Sequence, residues 1–209
     1  SCAGFTYAYY IQTYTEAKER NWGLSSVVWI DSTEEATRPG YPSEPQRIMS
    51  PEFIYNQINR GTSGSSPFAA ASFVIRIGGS PWSVMPYTDT GEPGSGVYNH
   101  PWPSEEAFRE APTYRGREVG QTYWSYNTNG YFILDSPAKL ELLKMIIASG
   151  YCVGTSVRGE MLYPTGGEYL LNSVDVISGY QGGPLNANHA NTIVGYKEGP
   201  AWDPNNPEL

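Results

Sequence analysis

The chain has 209 residues, enough to bury a core as one domain or two closely packed lobes, and its 39% apolar residues include 17 Tyr and 6 Trp. Charged side chains make up 16%, with 21 acidic against 13 basic and a formal charge of −8. That balance excludes a solvated, disordered chain and speaks against a nucleic-acid partner, whose phosphates this surface would repel; no apolar run approaches the ~20 residues that span a bilayer, so no membrane partner is expected.

The first element is a helix over residues 2–22, with Ser1 of N-cap type and Phe5, Ala8 and Tyr9 on one face. Tyr7, Tyr10, Ile11 and Tyr14 cover most of the remainder, and a helix apolar nearly all round belongs inside a domain. Glu16 and Arg20 form an i,i+4 pair as it emerges to water, and Gly23 suits its end. Val27 to Ile30 reads as a short strand, and 31–46, rich in Glu, Pro and Ser, as a surface loop. Ser50-Pro51, Ser66-Pro67 and Ser136-Pro137 each place Ser at the N-cap and Pro at the first helical position. Gly78-Gly79 and Gly150 close the second and third of these helices. Between Met85 and Gly130 the Pro, Gly, Trp and Tyr content predicts a long irregular segment with one short helix over 104–109. Strands follow over 151–157, 174–177 and 190–196. Helices first and strands after predict an α+β fold with an antiparallel sheet.

Two cysteines and two histidines spread along the chain make neither a disulfide framework nor a zinc pattern, so no metal or cofactor is expected. The acidic run 31–35 lacks the spaced oxygen ligands of a calcium loop and reads as solvated surface. Cys2 stands at a helix start, where unpaired N–H groups and a partial positive charge favour thiolate over thiol. A thiolate that attacks a carbonyl needs a base to carry the proton to the leaving group. His189 opens the strand-like run His189-Ala190-Asn191-Thr192-Ile193-Val194-Gly195-Tyr196, which would hold an imidazole rigidly. His100 reads as a loop residue and Cys152 as a small core side chain; pairing of Cys152 with Cys2 would abolish nucleophilic activity. Spacing alone does not bring Cys2 and His189 together.

The block Ser1-Cys2-Ala3-Gly4-Phe5-Thr6-Tyr7-Ala8-Tyr9-Tyr10 resembles the nucleophile helix of papain-like (C1 family) cysteine peptidases, nearer the bacterial members. Met49 to Tyr55 is similar to the next helix of that family. Gly64-Ser65-Ser66, then Gly79, Trp82-Ser83 and Pro86-Tyr87, resemble its cleft glycine segment and the Pro-Tyr that follows. Leu140 to Val153 resembles the helix leading into the second lobe, and His189 to Tyr196 the strand of the catalytic histidine. These blocks stand in the family's order along nearly the whole chain. Ala3 replaces an expected aromatic, and Cys2 and His189 are 187 positions apart, beyond the family's ~130–150; insertions at 31–46 and 85–130 would absorb the excess.

The resemblance implies a two-lobed papain-like fold, a helical lobe over 1–125 and a β-rich lobe over 126–209, with the cleft between. It implies peptide-bond hydrolysis through a thioester, Cys2 as nucleophile and His189 as general acid and base. Gly64 and Ser65 would bind an extended peptide by strand addition, and Pro67, Phe68 and Ala190 would line the pocket for the side chain two residues before the cut. The backbone N–H of Cys2 would supply one oxyanion donor. The family's oxyanion glutamine precedes the nucleophile, beyond Ser1, and its orienting asparagine stands in an Asn-Ser-Trp-Gly run that this sequence lacks; Asn205 is the candidate at a suitable offset. The opening at Ser1-Cys2, without initiator Met or signal peptide, reads as a processed or truncated product, with a propeptide or additional chain as possible supplier of the missing parts. The partner is then a protein or peptide substrate, and the Tyr, Asn, Ser and Gly content with few Lys leans toward a secreted or cell-envelope location. The same residues fit two other readings, a thiol acyltransferase and a catalytically silent binding module.

Overall fold

The computed structural model describes residues 2–30, 40–59, 65–88, 101–116, 134, 136–157 and 189–196. The chain divides into two compact units, Ser1–Phe132 and Ile133–Leu209. Both mix helix with a small antiparallel sheet, so the fold class is α+β. The expected strand over 174–177 lies outside the described residues.

In the first unit the opening helix, α1, runs without a break over residues 2–20, but its hydrogen bonding changes along the way. Cys2–Gly4 is α-helical, Phe5–Gln12 is π-helical, and Thr13–Arg20 is α-helical again. The Thr13 hydroxyl donates to the Ala8 carbonyl at 3.3 Å, five residues back, at the end of the widened segment. The buried side of α1 is not made of its large aromatics. Ala3, Gly4, Thr6, Ala8, Gln12, Thr13, Glu16 and Ala17 are buried, while Tyr10 and Tyr14 face solvent. Small residues there let neighbouring helices approach closely. The helix ends at Asn21, in the left-handed region (φ 53°, ψ 43°), which a short polar side chain tolerates. Asn21 thus takes the role expected of Gly23.

Two helices pack on α1: α2, Pro51–Ile58, and α3, Pro67–Arg76. Both begin with the expected Ser-Pro pair, but only Ser50 caps, its hydroxyl accepting from the Phe53 N–H at 3.3 Å; Ser66 makes no such bond. The Phe53 ring, fully buried, meets Phe73 and Phe108 edge-on at centroid distances of 5.8 and 5.5 Å. Phe108 belongs to α4, Glu105–Glu110, which Ser104 caps through the Ala107 N–H. Gly78 ends α3 with φ 109°, and a Cβ there would stand 1.8 Å from the Ala111 carbonyl oxygen. Only glycine fits both demands.

The stretch read as a surface loop over 31–46 carries structure at its C-terminal end. Tyr41–Pro42 (β2) pairs antiparallel with Trp29–Ile30 (β1), Trp29 opposite Pro42 and Ile30 opposite Tyr41, and Pro45–Arg47 forms a 3-10 turn. Trp29 explains the pairing: its ring sits edge-on to buried Trp82 at 5.7 Å, which anchors the ribbon.

In the second unit, Ser136 caps α5, Pro137–Ala148, through the Lys139 N–H. Gly150, at φ 81°, turns the chain toward β3, Val153–Val157. β3 pairs antiparallel with β4, His189–Ile193, in the register Val153 to Ile193 and Val157 to His189.

Candidate functional site

Cys2 occupies the first turn of α1, half-buried, as a free thiol. What fixes that turn is the contact behind it. A Cβ on Gly4 would lie 2.6 Å from the Pro51 carbonyl oxygen and 3.1 Å from the Tyr55 Cβ, so the backbones of α1 and α2 touch where only hydrogen fits. Met49 N–H donates to the Thr13 hydroxyl at 2.8 Å, so the chain travels along α1 from Thr13 toward Gly4 as α2 begins. The first turn also packs against α3.

An aromatic cluster supports the π-helical segment. Phe5 meets Tyr9 and Tyr87 at 5.7 and 5.1 Å, and Tyr9 meets Trp82 at 6.1 Å. Trp82, Tyr87 and Gly79 therefore act as packing: Gly79 stands so close to the Gln12 carboxamide that a Cβ would fall 2.2 Å from its Oε1. Burial pushes the Tyr7 phenol up from its ordinary value.

The C-terminal half of α1 is tied to a distant segment. Gln12 Nε2 donates to the Tyr114 carbonyl, and Arg20 donates to the Thr113 carbonyl at 2.9 Å. The Arg20 guanidinium stacks 4.8 Å over the Tyr114 ring and pairs with Glu16 at 2.7 Å. Glu16 is buried rather than emerging to water. Burial holds its carboxyl above the usual range, and Arg20 pulls it part of the way back.

A second polar centre, not foreseen from sequence, lies on α2. Glu52, 1% exposed, accepts from the Thr88 N–H at 2.8 Å, the Thr88 hydroxyl and Asn56 Nδ2. Asn56 Nδ2 also donates to the Pro101 carbonyl at 2.8 Å. These bonds tie the segments before and after 89–100 to one helix. Nothing local in the sequence flags this link, because Thr88 is 36 positions from Glu52 and Pro101 is 45 from Asn56.

Of the residues expected to bind substrate, Ser65, Pro67 and Phe68 stand at the start of α3 in the same unit as Cys2. The Ser65 hydroxyl is shielded from solvent and has no hydrogen-bond partner. Pro67 is half-buried and Phe68 is 52% exposed. Gly64 and Asn205 lie outside the described residues.

His189 and Ala190 belong to the second unit. His189 opens β4 and is half-buried; Ala190 is buried and points to the opposite face of the strand. Cys152 precedes β3 as a free thiol whose pKa is raised by burial. Among the described residues no group of three or more His, Cys, Asp and Glu could hold a metal ion, and no helix is long and apolar enough to cross a membrane. The acidic run 31–35 lies outside the described residues. Searches against protein-family models, curated proteins and solved structures return no match.

Proposed function

We propose that the chain is the core of a papain-like cysteine endopeptidase with Cys2 as nucleophile and His189 as general acid and base. The observation that carries the reading is the fixed placement of a free, half-buried thiol on the first turn of a helix that Gly4 locks against α2. An attacking sulfur must be held within a fraction of an ångström of its productive position, and backbone contact holds a helix better than side-chain packing alone. The antiparallel β3–β4 pair that carries His189 and the order of blocks along the sequence support the same reading.

In this mechanism the Cys2 sulfur attacks the scissile carbonyl, and the proton it sheds resides on the His189 imidazole. His189 gives that proton to the departing amine, leaving a thioester on Cys2. It then takes a proton from water as the water attacks the thioester, and the sulfur is released. The Cys2 backbone N–H faces the developing oxyanion. The start of α3 at Ser65, Pro67 and Phe68 would seat the substrate segment upstream of the cut.

The test is alkylation by a neutral reagent at about pH 6, where an ordinary thiol reacts slowly and an ion-paired thiolate reacts fast. Cys152 provides the internal standard, since burial raises its pKa. Mass mapping should find Cys2 labelled stoichiometrically while Cys152 remains free, and Cys2→Ser should lower peptide hydrolysis on the order of a millionfold. Equal, slow labelling of both thiols sinks the proposal.

A further inference from the structure

The turn that carries Cys2 is gripped from two sides. Gly4 rests on the peptide that joins Pro51 to Glu52: a Cβ there would come within 2.6 Å of the Pro51 carbonyl oxygen and 3.3 Å of its carbon. Phe5, the next residue, meets the Tyr87 ring edge-on at 5.1 Å. The two grips belong to separate stretches of chain, the start of α2 and residues 87–88, and one side chain joins them. Glu52 Oε2 accepts from the Thr88 N–H at 2.8 Å, and Oε1 accepts from the Thr88 hydroxyl at 3.1 Å.

Glu52 thus closes a circuit of contacts, from Gly4 through the Pro51–Glu52 peptide and Thr88 to Tyr87 and back to Phe5. Its carboxylate is 1% exposed, and burying a carboxylate costs free energy unless donors meet it. Asn56 Nδ2, one turn further along α2, braces it by donating to Oε1 at 3.3 Å and to the Pro101 carbonyl at 2.8 Å. An apolar side chain could fill the same volume, but it would leave the two stretches free to slide. Hydrogen bonds fix their separation, because they weaken steeply with distance and angle.

We infer that Glu52 is a positioning residue for the Cys2 sulfur, acting through the backbone of Gly4 and the ring of Phe5. Cys2 stands in the same helical turn as both, so a loosened circuit displaces the sulfur, and a misplacement of about 1 Å can cost a hundredfold in rate. The purpose of this arrangement rests on the peptidase reading, but the circuit itself does not.

Variants of the full chain test it. Glu52→Gln keeps the shape but sets an amide donor against the donors of Thr88 and Asn56. Thr88→Val, the milder change, keeps the N–H and removes the hydroxyl, whereas Thr88→Ser keeps both. Ser104→Ala removes the cap of α4, a stability loss comparable with that of Thr88→Val but outside the circuit. Alkylation of Cys2, referred to Cys152, should slow roughly two- to ten-fold in Thr88→Val, the range of one net hydrogen bond. It should slow further in Glu52→Gln and stay unchanged in Thr88→Ser and Ser104→Ala. In peptide turnover the loss should fall on kcat with KM unchanged. Amide hydrogen exchange at Tyr7 and Ala8, whose helical bonds reach back onto Cys2–Gly4, should quicken in Glu52→Gln and Thr88→Val alone. The inference is overturned if Thr88→Val and Ser104→Ala act alike on both readouts, since Glu52 would then only stabilise the fold. Should Cys2 of the unmutated chain label no faster than Cys152, the peptidase reading fails, while exchange at Tyr7 and Ala8 still decides whether Glu52 holds the turn.

Discussion

Helices α2 and α5 begin alike and end differently. Each starts with Ser at the N-cap and Pro in the first turn, and each Ser hydroxyl accepts from a backbone N–H three residues on. Yet α2 buries six of its eight residues, whereas Leu143 alone is buried among the twelve of α5, and Met145 is 66% exposed. The cap decides where a helix starts; what then covers it depends on the rest of the chain. Apolar content is a poor guide to depth: α2 is buried even at Glu52 and Asn56, while Leu140 and Met145 of α5 are exposed.

The sharpest way to break this contrast is truncation on both helices. Phe53→Ala empties a site shared by Phe73 and Phe108 and should destabilise the first unit by about 3–5 kcal/mol; Met145→Ala should fall within about 0.5 kcal/mol of neutral. Urea denaturation of the two variants reads both values, and equal losses would erase the distinction between the helices. Gly4→Ala comes next. Its Cβ has backbone on the opposing side, so α1 must lift from α2, at a cost of about 1–3 kcal/mol. The same displacement should slow Cys2 alkylation, so a stable variant with unchanged thiol reactivity would separate the contact from the site.

Capping gives a smaller comparison within the first unit. Ser50→Ala removes an acceptor that the Phe53 N–H uses and should cost ~1 kcal/mol. Ser66→Ala removes a hydroxyl that caps nothing and should cost only a few tenths, and thermal melting of the pair checks the difference. The smallest effect concerns pH. Because burial holds Glu16 above its ordinary value of 4.5, the native chain binds that proton more tightly than the unfolded chain does. Its contribution to stability therefore declines as pH rises from about 4.5 through the raised native value. Glu16→Gln should remove that decline, and an unchanged stability-against-pH slope in the variant would refute the assignment.

Local signals carried much of the fold. Ser50, Ser104 and Ser136 marked helix starts because capping involves residues three apart, Ser66-Pro67 did so because proline suits the first helical turn, and Gly78 and Gly150 marked turns because a positive φ suits glycine. Asn21 displaced Gly23 since two residues could adopt the same backbone and the nearer one did. The π-helical stretch escaped notice because a 3.6-residue period was assumed for a segment that Tyr7, Tyr9, Tyr10 and Ile11 made apolar on every side. Glu52, Gln12 and Glu16 escaped because their surroundings come from residues far along the chain. At the candidate site, the helix start at Cys2 and the strand at His189 were both legible, being local.

The bonds from Gln12 and Arg20 to Tyr114 and Thr113 have a consequence for how this sequence can vary. Arg20 and Thr113 are 93 positions apart yet tethered, so everything between them is an excursion that leaves and rejoins one rod. Closing such an excursion costs only logarithmically more as it grows, ~0.6 kcal/mol for each doubling. Extra polypeptide between the tethers, outside the packed helices, can therefore accumulate at small thermodynamic expense while the helix bearing Cys2 keeps its pose.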